Sequence, residues 1–197
     1  MDKINYQVWL DKIIESLNGN RPRLLLHSCC GPCSSYVIEY LSKYFDLTVY
    51  YYNPNIYPIE EYEKRLETQK QLIERLGGAV MIESEYDPDR YFELVKGLEN
   101  EREGGKRCTV CFEMRLRETA EKAKIGEFDY FATTLTVSPH KNAQIINRIG
   151  ERLADEYAVE WLPSDFKKRE GYKRSIELSK QFELYRQSYC GCKFSLM

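Results

Sequence analysis

The sequence predicts a parallel α/β fold, a Rossmann-like three-layer core with helical additions. Three observations carry this. Short apolar runs alternate with longer segments of helical periodicity, and Gly, Pro and Asn fall at the junctions. The first apolar run also leads directly into a cluster of cysteines, where such sheets place their functional edge.

Residues 4–17 carry Ile4, Val8, Ile13, Ile14 and Leu17 at helical spacing, and Arg21-Pro22 ends that helix. Leu24-Leu25-Leu26 reads as a short buried strand, and Tyr36 to Phe45 as a helix. Leu47 to Tyr52, rich in Thr, Val and Tyr, reads as a second strand broken by Asn53-Pro54-Asn55. Ile59, Tyr62, Leu66, Ile73 and Leu76 share the face of a long helix closed by Gly77-Gly78. Ala79 to Ile82 is a third strand, and Asp87-Pro88 opens another helix. Gly104-Gly105 precedes a helix from Cys108 to about Lys124, and residues 85–110 are expected to form a helical cap. Tyr130 to Val137 reads as a fourth strand, 143–157 as a helix, Val159 to Leu162 as a fifth strand, and about 172–187 as the last helix. With no repeat, low-complexity tract or linker, residues 1–197 read as a single α/β domain. It has an N-terminal helix and a C-terminal helical extension carrying Cys190 and Cys192.

The 197 residues are 43% hydrophobic and 30% charged, with a formal net charge of −2, as expected of a globular chain. No apolar run approaches the ~20 residues of a membrane helix. The amphipathic start, MDKINYQVWLDKIIESL, lacks the basic, apolar and cleavage regions of a signal peptide, so a cytoplasmic location with no membrane partner is expected. In a reducing compartment the seven cysteines point to metal ligation or redox chemistry, since a disulfide framework belongs to secreted chains.

Cys29-Cys30-Gly31-Pro32-Cys33 follows a strand and opens a helix, so backbone amides and the helix N-terminus favour thiolates there. Cys108-Thr109-Val110-Cys111 can clasp one metal centre, and alone it fits half a zinc site or a thioredoxin-like couple equally well. Together the two clusters hold five thiols, more than a structural zinc uses, and Cys29-Cys30 with Cys33 is unlike a zinc ribbon's paired knuckles. A four-iron cluster takes four thiolates; Cys29, Cys30, Cys108 and Cys111 are the expected set, although spacing alone does not choose which of the first three cysteines is left over. Cys33 is then free for a second metal ion such as iron, for the substrate, or for neither. Cys190-Gly191-Cys192 reads as a redox couple, because a disulfide across one residue is strained and easily reduced.

His27 and His140 both end strands and suit an acid, a phosphate contact or a metal ligand; His27 equally suits a satisfied core residue. Asp165 follows the last strand and suits an iron ligand, a proton-positioning group or a helix cap. Lys167, Lys168, Arg169, Lys173 and Arg174, with His140, Lys141, Arg148 and Arg186, form a candidate basic patch for a phosphate backbone; a solvated helix face reads the same way. Some of the sixteen tyrosines suit stacking on unpaired bases.

The ordered motifs HSCCGPCSS, YYNPNIYPIEEYEKR, EGGKRCTVCFEMRL, TTLTVSPHKN, DFKKREGYKRS and YRQSYCGC resemble the QueH-type epoxyqueuosine reductase family from about residue 22 to 192. The resemblance implies a tRNA-modifying oxidoreductase that removes the epoxide oxygen of epoxyqueuosine in the anticodon loop to give queuosine, using a 4Fe-4S cluster, no cobalamin and an unidentified electron donor. It implies Cys29, Cys30, Cys108 and Cys111 as cluster ligands, possession of an additional iron being left open, and Cys190 and Cys192 as the redox-active pair. The first strand and loop also look like those of PP-loop, nucleotide α-hydrolase-like enzymes, with cysteines in place of the Gly-rich phosphate loop. An iron–sulfur tRNA sulfur-transfer enzyme is the alternative, and it would need the ATP loop that is missing after Leu26. A non-catalytic metal module would need neither the Cys190–Cys192 pair nor the strand-end histidines.

Overall fold

Strand β1, Arg23–His27, is buried from Leu24 onward, as a strand covered on both faces must be, and a continuous apolar run provides it. This computed structural model describes residues 4–196. Around β1 stand β2 (Asp46–Tyr51), β3 (Val80–Glu83), β4 (Tyr130–Thr133) and the two-residue β5 (Glu160–Trp161), all parallel in the order β3-β2-β1-β4-β5. His27 is in register with Tyr50 of β2 and Thr133 of β4.

The helices are α1 (Tyr6–Ser16), α2 (Gly31–Leu41), α3 (Ile59–Leu76), α4 (Pro88–Leu94), α5 (Lys106–Ile125), α6 (Ala143–Tyr157) and α7 (Gly171–Gln181). Alternation along the strands sends side chains to two cores. Leu25, Tyr50 and Phe131 pack against Leu116 of α5 and Ile146 and Leu153 of α6. Leu24, Leu26, Val49 and Ala132 pack against Leu10 of α1, Ile38 of α2 and Leu72 of α3. The result is the three-layer parallel fold expected, with helices on both faces.

Four boundaries differ from expectation, each for a local reason. Helix α2 begins at Gly31, because Pro32 in the first turn needs no amide partner. Strand β4 ends at Thr133, whose Oγ1 accepts the Leu135 N–H and turns residues 134–137 into a 3-10 helix. Helix α7 stops at Gln181, where Glu183 takes φ +51° and Leu184 N–H returns to the Ser179 carbonyl. The expected cap at 85–110 is the short helix α4, turns and the first residues of α5, with Tyr91 and Val95 of that stretch buried in the same core as α5. No helix among the described residues is long and apolar enough to cross a membrane.

Candidate metal and redox site

The strand order reverses between β1 and β4, so the chain leaves their carboxyl ends in opposite directions and opens a crevice there. The first cysteine cluster occupies that crevice. Cys30 caps α2 in extended conformation, and Gly31 lets the helix start lie against α3, where an added Cβ would come within 2.9 Å of Thr68 Cγ2. The Sγ atoms of Cys29, Cys30 and Cys33 all lie within 4.8 Å of one another. Thr134, from the turn after β4, accepts the Cys29 N–H at 3.2 Å and donates to Cys29 Sγ at 3.5 Å. Gln187 Nε2 donates to Cys30 Sγ at 2.9 Å.

The three sulfurs share charge unequally. Hydrogen bonds from Cys30 and Cys33 hold the Cys29 thiol well below its usual range. The same bond with Cys29 pushes Cys30 up to about 12, and Cys33 rises with it. Two cations face Cys29. Burial works against the charge of Lys141, yet Cys190, Cys29 and Cys33 outweigh it and hold the ammonium above its ordinary range. Arg115 is buried on α5; its Nε donates to the Cys111 carbonyl at 3.1 Å, and its Nη2 has no partner in the protein.

The second cluster shares the core of the first. Cys29, Cys30 and Cys111 are buried in one apolar cluster, with Cys33 and Cys108 packed against it. Cys108 and Cys111 are not among the three sulfurs at mutual ligand distance, so the triad that forms among the described residues is Cys29, Cys30 and Cys33. Burial raises both α5 thiols, Cys111 to about 12.

The C-terminal pair differs from expectation. All seven cysteines are free thiols, and no disulfide joins Cys190 to Cys192. Between them Gly191 turns at φ +102°, and Cys192 Sγ lies 2.9 Å from the Tyr91 hydroxyl while Cys190 faces a cavity shared with Cys29 and Cys33. That cavity holds about 300 Å³. Arg65 of α3 fastens this segment, donating to the Cys190 and Tyr189 carbonyls at 3.1 and 3.2 Å and to Glu61 at 2.7 Å.

The two histidines separate. His27 is 0% exposed; its Nε2 lies 3.1 Å from the Tyr52 carbonyl and its Nδ1 2.9 Å from Thr133 Oγ1. A carbonyl only accepts, so Nε2 carries the proton and Nδ1 accepts the threonine hydroxyl. Burial lowers the His27 pKa to about 3, so the ring is a neutral core group with no nitrogen left for a metal. His140 is exposed on the cavity rim. Asp165 lines a neighbouring recess with His140 and pairs with Lys167; it does not border the thiol cavity. The basic stretch is largely spent on ion pairs: Arg169 with Asp11, Lys173 with Glu170, and Arg174 with Glu39 and Glu177. Lys141 and Arg186 remain beside the cavity.

A soft, sulfur-only donor set backed by the buried Arg115 and the half-buried Lys141 fits an anionic, thiolate-bound metal centre. Sequence reasoning missed Arg65, Arg115, Asn53, Asn55 and Gln187. Arg115 was within reach, since it follows Cys111 by four residues and so shares its helical face.

Residues 24–197 match the profile of the family described as Epoxyqueuosine reductase QueH. The protein of that name from Staphylococcus epidermidis is 48% identical over 204 residues, spanning 99% of this chain and 86% of that protein. The one from Streptococcus pyogenes is 45% identical over 98% of this chain and 78% of its own length. The one from Thermotoga maritima is 36% identical over 88% of this chain and 90% of its own length.

Proposed function

The chain belongs to the family described as Epoxyqueuosine reductase QueH, and from that premise we propose that it removes the epoxide oxygen of epoxyqueuosine in tRNA, giving queuosine. The observation that carries the reading is a thiol triad at the topological switch point, opening on a cavity bordered by a fourth thiol, Cys190.

The reaction converts an epoxide, two electrons and two protons into an alkene and water. The thiols of Cys190 and Cys192 carry that many electrons and protons: closing a disulfide between them releases two of each, one turnover's worth. An external reductant then reopens the bond. Since Cys192 is turned toward Tyr91, closure requires the Gly191 turn to rearrange. The cytoplasm, with its reducing poise, suits such a couple.

Four of the five thiols Cys29, Cys30, Cys33, Cys108 and Cys111 would hold a 4Fe-4S cluster without cobalamin. Cys29, Cys30, Cys108 and Cys111 are the set drawn from the motifs, and Cys33 is left for an additional iron. When bound, such a cluster supplies single-electron transfer at a potential set by its surroundings. Lys141 and Arg115 balance its thiolates, and the cavity receives the splayed-out base from the anticodon loop. His140, on the rim, carries protons between solvent and the departing oxygen, and Asp165 in the next recess holds Lys167 beside the entrance.

The test is deoxygenation of epoxyqueuosine-bearing tRNA by iron-loaded protein, with iron counted for each variant. Cys29→Ala and Cys111→Ala are expected to lose iron and activity together. Cys190→Ala and Cys192→Ala are expected to keep iron and lose turnover. Full activity of both C-terminal variants with the physiological donor rejects the couple; a colourless protein that binds zinc alone rejects the cluster.

A further inference from the structure

Helix α4 buries one side chain, Tyr91, which is 1% exposed. Its ring belongs to the core that holds Val95 and Phe112, and its hydroxyl lies 2.9 Å from Cys192 Sγ, its one hydrogen-bond partner among the described residues. A buried hydroxyl left without a partner is destabilising. A phenylalanine would fill the same space without that liability, so packing alone does not account for the oxygen.

The two C-terminal thiols are unequal. Cys190 is half-buried and borders the thiol cavity. Cys192 is 7% exposed, lies in the apolar core and is not among the residues that line the cavity. Its carbonyl accepts the Ser195 N–H at 2.9 Å and the Ser195 hydroxyl at 2.7 Å, which hold its backbone in place. A reagent entering from solvent therefore meets Cys190 first. Burial and the neighbouring Cys111 raise the Tyr91 pKa, so Tyr91 stays a phenol. A thiolate has no proton to give, so with Cys192 charged the phenol is the donor of the pair.

We propose that Tyr91 gives the Cys190–Cys192 couple a direction: it holds Cys192 as the sulfur that leaves, while the reductant exchanges with Cys190. The inference rests on the redox couple proposed above. In the reopening step a thiol reductant, as its thiolate, attacks Cys190 Sγ. The S–S bond breaks, and its electron pair goes to Cys192 Sγ, where the Tyr91 O–H stabilises the charge. A second thiol attacks the mixed disulfide on Cys190, releasing the oxidised reductant and the Cys190 thiolate. Each entering thiol gives up one proton and each cysteine takes up one. A sulfur whose thiolate is stabilised leaves faster. The bond to Tyr91 is made by free Cys192, so it also favours the dithiol over the disulfide.

The test uses iron-loaded full-length protein in anaerobic glutathione buffers. Mass spectrometry reads the tryptic peptide of residues 187–193, which carries both cysteines. The wild type is expected to form the Cys190–Cys192 disulfide. Tyr91→Phe is expected to need a buffer about fivefold more reducing (reduced glutathione squared over oxidised) to reopen it, a shift of ~20 mV to more negative potential. A tyrosine that served packing alone would leave the potential where it was. Single-thiol variants read the direction: Cys192→Ser is expected to take up glutathione on Cys190 about tenfold faster than Cys190→Ser does on Cys192. This second measurement stands even if Tyr91→Phe fails to fold. Equal uptake by the two, or an unmoved potential in Tyr91→Phe, overturns the inference. A wild type that forms no disulfide in any of these buffers sinks the couple as well; a disulfide that forms, with its potential unmoved by the substitution, sinks the role of Tyr91 alone.

Discussion

His27 and His140 have identical side chains on the same edge of the sheet, and their neighbours give them opposite roles. His27 is enclosed by Thr133 and the Tyr52 carbonyl, which use both ring nitrogens and fix the tautomer. Removing the ring by His27→Ala leaves that hydroxyl and that carbonyl dry in a fully buried site and opens a cavity. The expected loss is about 3 kcal/mol of unfolding free energy, read as a drop in the urea midpoint at unchanged slope. A loss under ~1 kcal/mol would show that the ring does not bridge the two strands. His140→Ala, at an exposed position, is expected to leave the midpoint where it was. The sequence offered both readings for His27, and only the register of β1 with β4 decides between them.

At the scale of elements, a buried guanidinium is the charged fastening of the segment after α7. Arg65 bonds Glu61 on its own helix and two carbonyls of the Tyr189–Cys190 stretch, and Tyr57 N–H adds a bond to the Gly191 carbonyl at 2.8 Å. Hydrogen bonds from a charged group contribute ~1.5–3 kcal/mol each when buried. Arg65→Ala is therefore expected to loosen the segment and raise the rate of Cys190 alkylation by iodoacetamide at least tenfold, with Arg65→Lys intermediate. Unchanged labelling of Cys190 would mean that Tyr57 and Tyr189 suffice to anchor it. Gly191 belongs to the same fastening: its φ of +102° disfavours a side chain, and a Cβ there would stand 2.7 Å from Arg65 Nη1. Helix α3 spans the residues its periodicity implied, yet Arg65 was hidden, because an arginine within a charged helix looks solvated until the partner segment is known. The C-terminal helix was overextended for a related reason: polar periodicity continues past Gln181, while the chain turns at Glu183 to reach Arg65.

For the whole molecule, a parallel sheet was legible from alternating strands and breakers, and so was the edge at which the cysteines gather, because such a sheet places strand-end loops on one side; the order β3-β2-β1-β4-β5 came only from the structure. The charge environment was not legible, since a cation's role is recognised only by what surrounds it. Lys141 lies in the stretch read as a phosphate-binding patch, yet the groups acting on it are Cys190, Cys29, Cys33 and the Arg115 guanidinium. Its positive charge therefore belongs to the thiol centre, and this has a consequence separable from activity. A metal-loaded thiolate site concentrates negative charge where the metal-free protein carries less, so the attraction to Lys141 grows on loading. Lys141→Met keeps the length and apolar stem of the side chain while removing the charge. The metal-free variant is expected to melt close to the metal-free wild type. The iron-loaded variant is expected to gain less in unfolding temperature than the wild type does, because ligand stabilisation follows binding affinity. One charge at contact range near a protein surface is worth on the order of 1–4 kcal/mol, so loss of iron to a chelator should quicken about tenfold or more. Equal iron retention in the two proteins, at equal iron content, would return Lys141 to the tRNA-facing surface and leave Arg115 as the cation that balances the centre.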